Sequence, residues 1–189
     1  MILAEFLYKG AFMNYGEIKY CDIANGNGVR ISLFVSGCTH HCPNCFNPET
    51  WDFNFGKPFT EKEWNEIFDQ TKDYVNGLSL LGGDPCEPDN QRALLPFLRE
   101  YKKRFPNKDI WCYTGYTLEQ LLENSRASIE CTEEFLSYVD FLVDGPFIQA
   151  KKNIGLIFRG SSNQRIIDMK KTKQAGQIIQ WEGIKKDRQ

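Results

Sequence analysis

The sequence predicts an α/β protein, an open partial (β/α) barrel of about five to six parallel strands with helices on the outside. Short apolar, β-branched segments alternate along the chain with amphipathic segments of helical period. That order is typical of parallel strands joined by right-handed helical crossovers. The chain has 189 residues, enough for one well-cored domain but too few for a closed eightfold barrel.

The first predicted strand is VRISLFVSG, residues 29–37, which is nearly continuous in apolar residues, as in a strand buried on both faces. The segment TEKEWNEIFDQTKDYV follows as a helix, because Thr60 and Glu63 have the spacing of a capping box. LSLLGG, residues 78–83, is the second strand. Its helix is DNQRALLPFLREYKKRF, residues 89–105, in which Pro96 should introduce a kink.

DIWCYTGY, residues 109–116, is the third predicted strand, with TLEQLLEN as its helix, and VDFLVDG, residues 139–145, is the fourth. Further strands are expected within GLIFRG, QRIID and QIIQW, which lie between residues 155 and 181. Residues 1–12 are interpreted as an N-terminal extension, and residues 13–189 as a single domain.

Residues that can carry chemistry follow four of these strands at the point where each strand ends. They are the three cysteines Cys38, Cys42 and Cys45, the turn Gly82-Gly83-Asp84-Pro85, the turn Thr114-Gly115-Tyr116, and the turn Asp144-Gly145-Pro146. Because the carboxyl ends of parallel strands meet at one edge of a sheet, we expect all four to face one cavity.

The three clustered cysteines indicate a metal centre. A structural zinc site needs four closed ligands, and here His40 or His41 would have to complete it from within the same tight loop. An iron–sulfur cubane takes four thiolates, so three would leave one iron open to a substrate or cofactor. The alternative is an electron carrier whose fourth ligand is one of the remaining cysteines. These are Cys21, Cys86, Cys112 and Cys131.

Composition and charge exclude several classes of function. The net charge of −2 provides no basic surface for nucleic acid or for an anionic membrane. No apolar run approaches the length of a membrane helix, and the N-terminus lacks the pattern of a signal peptide. Seven cysteines, an odd number, argue against a disulfide scaffold. We therefore expect a cytoplasmic protein.

The spacing Cys38-x-x-x-Cys42-x-x-Cys45 after a first strand, with Gly-Gly-Asp-Pro after the second, resembles the radical S-adenosylmethionine superfamily. Within it, the chain is similar to the activating enzymes of anaerobic ribonucleoside-triphosphate reductases. The matching segments, in the family's order, are YCDIANGNGVRISLFVSGCTHHCPNCFNPETWDF, GLSLLGGDP, DIWCYTGYTLEQL, LVDGPF and RGSSNQRIID. The chain departs from the broader superfamily at Asn44, where an aromatic residue is frequent, and in having GGDP for GGEP.

The resemblance implies a 4Fe-4S cluster held by the three cysteines, with S-adenosylmethionine bound at the open iron. One electron would cleave this cofactor to methionine and a 5′-deoxyadenosyl radical, which would take a hydrogen atom from a backbone glycine of the reductase. The cluster and cofactor carry this chemistry, so no side chain is assigned as catalytic. The implied partners are the reductase and a one-electron donor such as a flavodoxin.

The resemblance also implies cofactor contacts, and each has a structural alternative. Gly82 and Gly83 would let backbone carbonyls approach the methionyl ammonium and Asp84 would add negative charge, or together they form a plain turn. The loop of Asn44, Cys45 and Phe46 would lie against the adenine, or Phe46 would be a core aromatic. Thr114 and Asp144 would contact ribose or carboxylate groups, or form turns. The alternative functions are activation of another glycyl-radical enzyme and electron transfer by a small iron–sulfur protein.

Overall fold

The computed structural model describes residues 12–123 and 125–183. Most of the predicted N-terminal extension, residues 1–11, lies outside the described residues. The strands are β1 (Asn14–Asp22), β2 (Arg30–Val35), β3 (Lys57–Pro58), β4 (Gly77–Gly82), β5 (Asp109–Tyr113), β6 (Phe141–Asp144) and β7 (Arg165–Asp168). The α-helices are α1 (Glu61–Gln70), α2 (Pro88–Arg104), α3 (Leu118–Leu122), α4 (Thr132–Ser137) and α5 (Met169–Ala175). Short 3-10 helices cover Pro48–Trp51 and Gln149–Lys151.

The seven described strands form one mixed sheet in the order β3-β1-β2-β4-β5-β6-β7. The four central strands β2, β4, β5 and β6 run parallel to one another. At the edges, β1 pairs antiparallel with β2 and with β3, and β7 pairs antiparallel with β6. The four predicted parallel strands are therefore present in sequence order. Curvature of this sheet into an open partial barrel stays a prediction.

Some local predictions are confirmed and others are not. The Thr60 side chain and Glu63 form the capping box at the start of α1. QRIID contains β7, as predicted, and this strand is antiparallel to β6, so the described sheet has four parallel strands where about five to six were predicted. QIIQW contributes only one isolated bridge, between Gln180 and Ile167, and GLIFRG contains no strand in the part of the chain described. α2 continues through Pro96 from Pro88 to Arg104.

The main core lies between one face of the sheet and helices α1, α2 and α4. The alternate residues Ile31 and Leu33 of β2 and Leu78 and Leu80 of β4 are fully buried there. α2 covers them with a long buried stripe. Its members are Leu94, Leu95, Phe97, Leu98 and Tyr101. This packing holds the four parallel strands in register, so their carboxyl ends lie along one edge of the sheet.

The opposite face of the sheet carries a smaller cluster of Trp111, Val143 and Ile166, packed against Phe158 and Trp181. The second face is thus covered by the segment after β6 and by the end of the described chain. This leaves room for cavities near the strand ends.

No described helix among residues 12–123 and 125–183 is long and apolar enough to cross a membrane.

Candidate iron–sulfur and cofactor site

A cavity of about 210 Å³ lies at the carboxyl edge of the parallel strands. Its lining includes Cys38, Cys42 and Cys45 after β2, Gly82, Gly83 and Asp84 at the end of β4, Thr114 and Gly115 after β5, and Gly145 after β6. The prediction that all four strand ends face one cavity is confirmed. The parallel register of the sheet brings together residues that are more than 100 positions apart in the chain.

The cysteine loop is built from turns and from hydrogen bonds to a neighbouring segment. Gly37 N–H donates to the Thr50 carbonyl at 2.8 Å, and Cys38 N–H donates to the Trp51 carbonyl at 3.1 Å. Cys45 N–H donates to the Cys42 carbonyl at 3.1 Å, which closes a tight turn over Pro43 and Asn44. Proline followed by a residue of positive φ, here 58° at Asn44, is the pattern of a type II turn.

The donor set fits an iron–sulfur cluster. All three thiols line the cavity, and Asn47 N–H lies 3.5 Å from Cys45 Sγ, the kind of backbone donor that tunes cluster potentials. Burial and then the nearby Asp84 carboxylate raise the pKa of Cys38 to about 12, and burial raises the pKa of Cys42. Iron must therefore displace protons from these thiols when it binds.

The zinc alternative has less support. Within the described ranges no three histidine, cysteine, aspartate or glutamate side chains converge to hold a metal ion, the three cysteines included, so the two histidines decide between zinc and a cluster. His40 Nε2 lies 3.0 Å from Asp84 Oδ2, and the ring of His41 packs on that of Trp51 with centroids 4.7 Å apart. Both histidines are therefore engaged by protein groups, as expected of loop histidines. Burial, the largest single influence, would lower the pKa of His40, but the hydrogen bond and charge of Asp84 and the charge of Glu87 together outweigh it, so the pKa is raised.

Gly82 and Gly83 are needed where the backbone of β4 passes close to other backbone. A Cβ on Gly82, whose φ is +102°, would lie 2.8 Å from backbone atoms of Phe34 and Val35. A Cβ on Gly83 would lie 2.6 Å from the Gly37 carbonyl oxygen. A side chain at either position would therefore clash with β2 or with the start of the cysteine loop that follows it. The steric requirement for glycine comes from the protein's own packing, and it sets the distance between the two site loops.

The Asp84 carboxylate is buried, with 1 % of the residue exposed, and it organises three strand ends. Its Oδ1 accepts a hydrogen bond from Cys86 N–H at 2.8 Å. Its Oδ2 accepts from Thr114 Oγ1 at 3.0 Å and from Gly115 N–H at 2.9 Å, and lies beside His40. Both oxygens are therefore already bonded within the protein, and Asp84 ties the ends of β4 and β5 to the cysteine loop.

We expect Asp84→Asn to destabilise the fold as well as the site. The amide cannot accept on both sides, so at least one buried donor loses its partner, at a cost of about 1–3 kcal/mol each. Urea unfolding measures this, and Asp89→Asn on the exposed surface of α2 is the matched control, with its side chain 73 % exposed. Unchanged stability together with lost cofactor binding would instead assign Asp84 to direct contact with the ligand.

Thr114 and Asp144 have different positions. Thr114 lines the cavity and also accepts a hydrogen bond from Tyr116 N–H at 3.1 Å. Asp144 is buried and is not among the described residues that line the cavity. It accepts from Leu118 N–H, at the start of α3, and is paired through both oxygens with Arg165. Asp144 thus joins β6 to β7 and α3. These contacts favour a structural role for Asp144 over a contact with the cofactor.

Asn44 and Phe46 lie on the outer side of the cysteine loop. Asn44 is exposed and does not line the cavity among the residues described, so its evident role is the turn. Phe46 is 71 % exposed, and its ring contacts Phe147 with centroids 6.1 Å apart. It is therefore an aromatic group at the cavity rim and not a core residue. It also lines an adjoining cavity of about 380 Å³.

Polar residues of α2 and of its N-terminal cap support the site, and no sequence motif marks them. Asn90 of α2 donates from Nδ2 to the carbonyls of Ser36 and Asp84, at 3.0 and 2.8 Å. Glu87, fully buried at the start of α2, accepts hydrogen bonds from Thr39, the residue after the first cysteine. Only their short distance from the GGDP turn along the chain could have indicated this role.

Comparison with known proteins defines the class first. Residues 24–167 match the family model of a 4Fe-4S single cluster domain, a region that contains every strand end of the cavity. The chain therefore contains a 4Fe-4S cluster domain.

Relatives then define the family. The chain is 45 % identical over 157 residues to the anaerobic ribonucleoside-triphosphate reductase-activating protein of Pasteurella multocida, covering 82 % of this chain and 96 % of that protein. The protein of the same name from Escherichia coli K12 is 42 % identical over 155 residues, with 80 % and 96 % covered. The one from enterobacteria phage T4 is 40 % identical over 157 residues, with 82 % and 93 % covered. The chain belongs to the family of anaerobic ribonucleoside-triphosphate reductase-activating proteins.

Proposed function

We propose that this protein is a radical S-adenosylmethionine enzyme that installs a glycyl radical on an anaerobic ribonucleoside-triphosphate reductase. One observation carries the proposal: three thiols of one loop and the Gly82-Gly83-Asp84 turn line the same cavity. Three thiolates are the ligand set that leaves one iron of a cubane open to a second ligand. The family membership supports the choice of protein substrate.

Cys38, Cys42 and Cys45 would hold the cluster, and the backbone at Gly82 and Gly83 would meet the methionyl ammonium of S-adenosylmethionine. When bound, the cluster and cofactor supply one electron and a 5′-deoxyadenosyl radical. The exposed ring of Phe46 is available to the adenine, because a flat apolar surface at a cavity rim suits base stacking. The protein's own contribution is to hold these groups close together and limit the access of water.

The rim of the site is suited to a protein partner. Between Asp144 and Asp168 the chain carries Lys151, Lys152, Arg159 and Arg165 and no acidic residue, although its net charge is −2. Of these four, Arg165 is paired with Asp144 and Glu119. In the same segment Ile154 is 96 % exposed and Ile157 is 53 % exposed. Exposed apolar residues with cationic neighbours favour a partner surface that is apolar with carboxylates. A one-electron donor such as a flavodoxin completes the proposed cycle.

The test is an anaerobic assay with the reconstituted protein, the reductase from the same organism, S-adenosylmethionine and a strong reductant. We expect a glycyl-radical doublet on the reductase in the electron paramagnetic resonance spectrum, and no doublet when S-adenosylmethionine is omitted. If 5′-deoxyadenosine forms but no doublet appears on this reductase, the target is another glycyl-radical enzyme. If the cluster is intact and neither signal appears, the result favours the alternative of a small iron–sulfur electron carrier.

A further inference from the structure

An ion pair between the buried Glu87 and the half-exposed Arg126 lies behind the cysteine loop. Glu87 and Arg126 come from the start of α2 and from the loop before α4. Neither residue belongs to the cysteine motif or to the GGDP turn. Both contact Thr39, which directly follows the first cysteine.

The contacts form a closed set around Thr39. Glu87 Oε1 accepts from Thr39 N–H at 2.9 Å and from Thr39 Oγ1 at 2.5 Å. Arg126 donates to Thr39 Oγ1 at 2.8 Å and to Glu87 Oε2 at 2.9 Å. Tyr116 OH lies 3.3 Å from Glu87 Oε1. The loop is thereby held at its backbone and at its side chain.

The two charges differ in their surroundings. Glu87 is completely buried, whereas the Arg126 side chain is 57 % exposed. A buried carboxylate acts on its neighbours through a medium of low effective dielectric constant, and a half-exposed guanidinium compensates for it only in part. Nearby charge and hydrogen bonding are among the factors that set the reduction potential of an iron–sulfur cluster.

We infer that Glu87 and Arg126 are positioning residues that set the reduction potential of the cluster, with Glu87 lowering it and Arg126 raising it. This rests on the proposed cluster site at Cys38, Cys42 and Cys45. Reduction adds an electron to a cluster held by Cys38, whose neighbour Thr39 is hydrogen-bonded to the buried Glu87 carboxylate, and like charges repel. Removing the carboxylate therefore favours the reduced cluster, and removing the guanidinium disfavours it.

The experiment is an anaerobic redox titration of the reconstituted protein, followed by electron paramagnetic resonance of the reduced cluster. We expect Glu87→Gln, which keeps the shape and an acceptor for Thr39, to raise the midpoint potential. Arg126→Ala should lower it, and the double variant should return towards the wild-type value. Arg126→Lys keeps the charge and should rescue most of the shift. Arg92→Ala, which removes the exposed pair of Arg92 with Glu130, is the control and should cause no shift.

Shifts of the same sign in Glu87→Gln and Arg126→Ala, or no shift in either, would overturn the inference, because a purely structural role does not invert with charge. If Glu87→Gln fails to retain its cluster, the contrast between Arg126→Ala and Arg126→Lys decides the question from an exposed position. Failure of the wild-type protein to assemble a cluster would be a failure of the proposed function instead.

Discussion

A Cys42→Ala variant is expected to lose the cluster and all cleavage of S-adenosylmethionine while the domain remains folded. Two thiolates cannot hold a cubane that already lacks a fourth protein ligand. Cys42 is only partly buried and lies outside the main hydrophobic core. The free energy of unfolding of the cluster-free protein should therefore change by less than about 1 kcal/mol.

The measurements are iron and sulfide content, 5′-deoxyadenosine formation, and urea unfolding of the cluster-free protein. Cys21→Ala is the matched control, since Cys21 is exposed at the end of β1 and lies outside the site, and it should behave as the wild type in all three. A small iron–sulfur or zinc module is held together by its metal. If the cluster-free domain were unfolded both in the wild type and in Cys42→Ala, the interpretation as an enzyme would lose its basis.

Gly82→Ala should destabilise the fold and disrupt the site at the same time. The residue has a φ of +102° and its new Cβ would lie 2.8 Å from backbone atoms of β2. A backbone conformation unfavourable to L-residues costs about 1–2 kcal/mol, and insertion into closely packed surroundings costs a further 1–3 kcal/mol or so. We expect a loss of about 2–5 kcal/mol in the free energy of unfolding, and failure to retain the cluster because the site loops move apart.

Gly176→Ala separates the two contributions. Gly176 also has a positive φ, +65°, but nothing lies within 4 Å of its Cβ position. Its variant should lose only the conformational part, about 1–2 kcal/mol, with normal cluster content. Equal stability losses in the two variants would show that contact with β2 is unimportant and that glycine is present at 82 only for its backbone conformation.

Features encoded by neighbouring residues could be predicted from the sequence. The apolar run of β2, the capping box of Thr60 and Glu63, and the four strand-end turns each depend on a few consecutive positions. The edges of the sheet were not predictable in the same way. β1 mixes exposed and half-buried residues and pairs through irregular register, so it lacks the clear alternation by which a strand is recognised.

Arg30 illustrates a limit of reasoning from residue type. By its charge alone it could neutralise a cofactor carboxylate or form a surface ion pair, but it is fully buried at the start of β2. There it lies 2.6 Å from the Asp109 carboxylate and donates to Ser79 Oγ at 2.7 Å. A buried arginine at the amino end of a strand cannot reach a site at the carboxyl end. Its role became clear only from its depth in the fold.

The spacing of the cysteines and the glycines of the GGDP turn were sufficient to indicate the cluster, the cavity and the family, because these depend on chain geometry over a few residues. The residues that support the site do so through contacts between segments that are distant in the sequence. Asn90, Glu87 and Arg126 have no local pattern that distinguishes them from ordinary surface residues, and packing of α2 under the cysteine loop gives them their roles. Burial turns an ordinary polar side chain into a necessary one, since its partners then have no water to replace it.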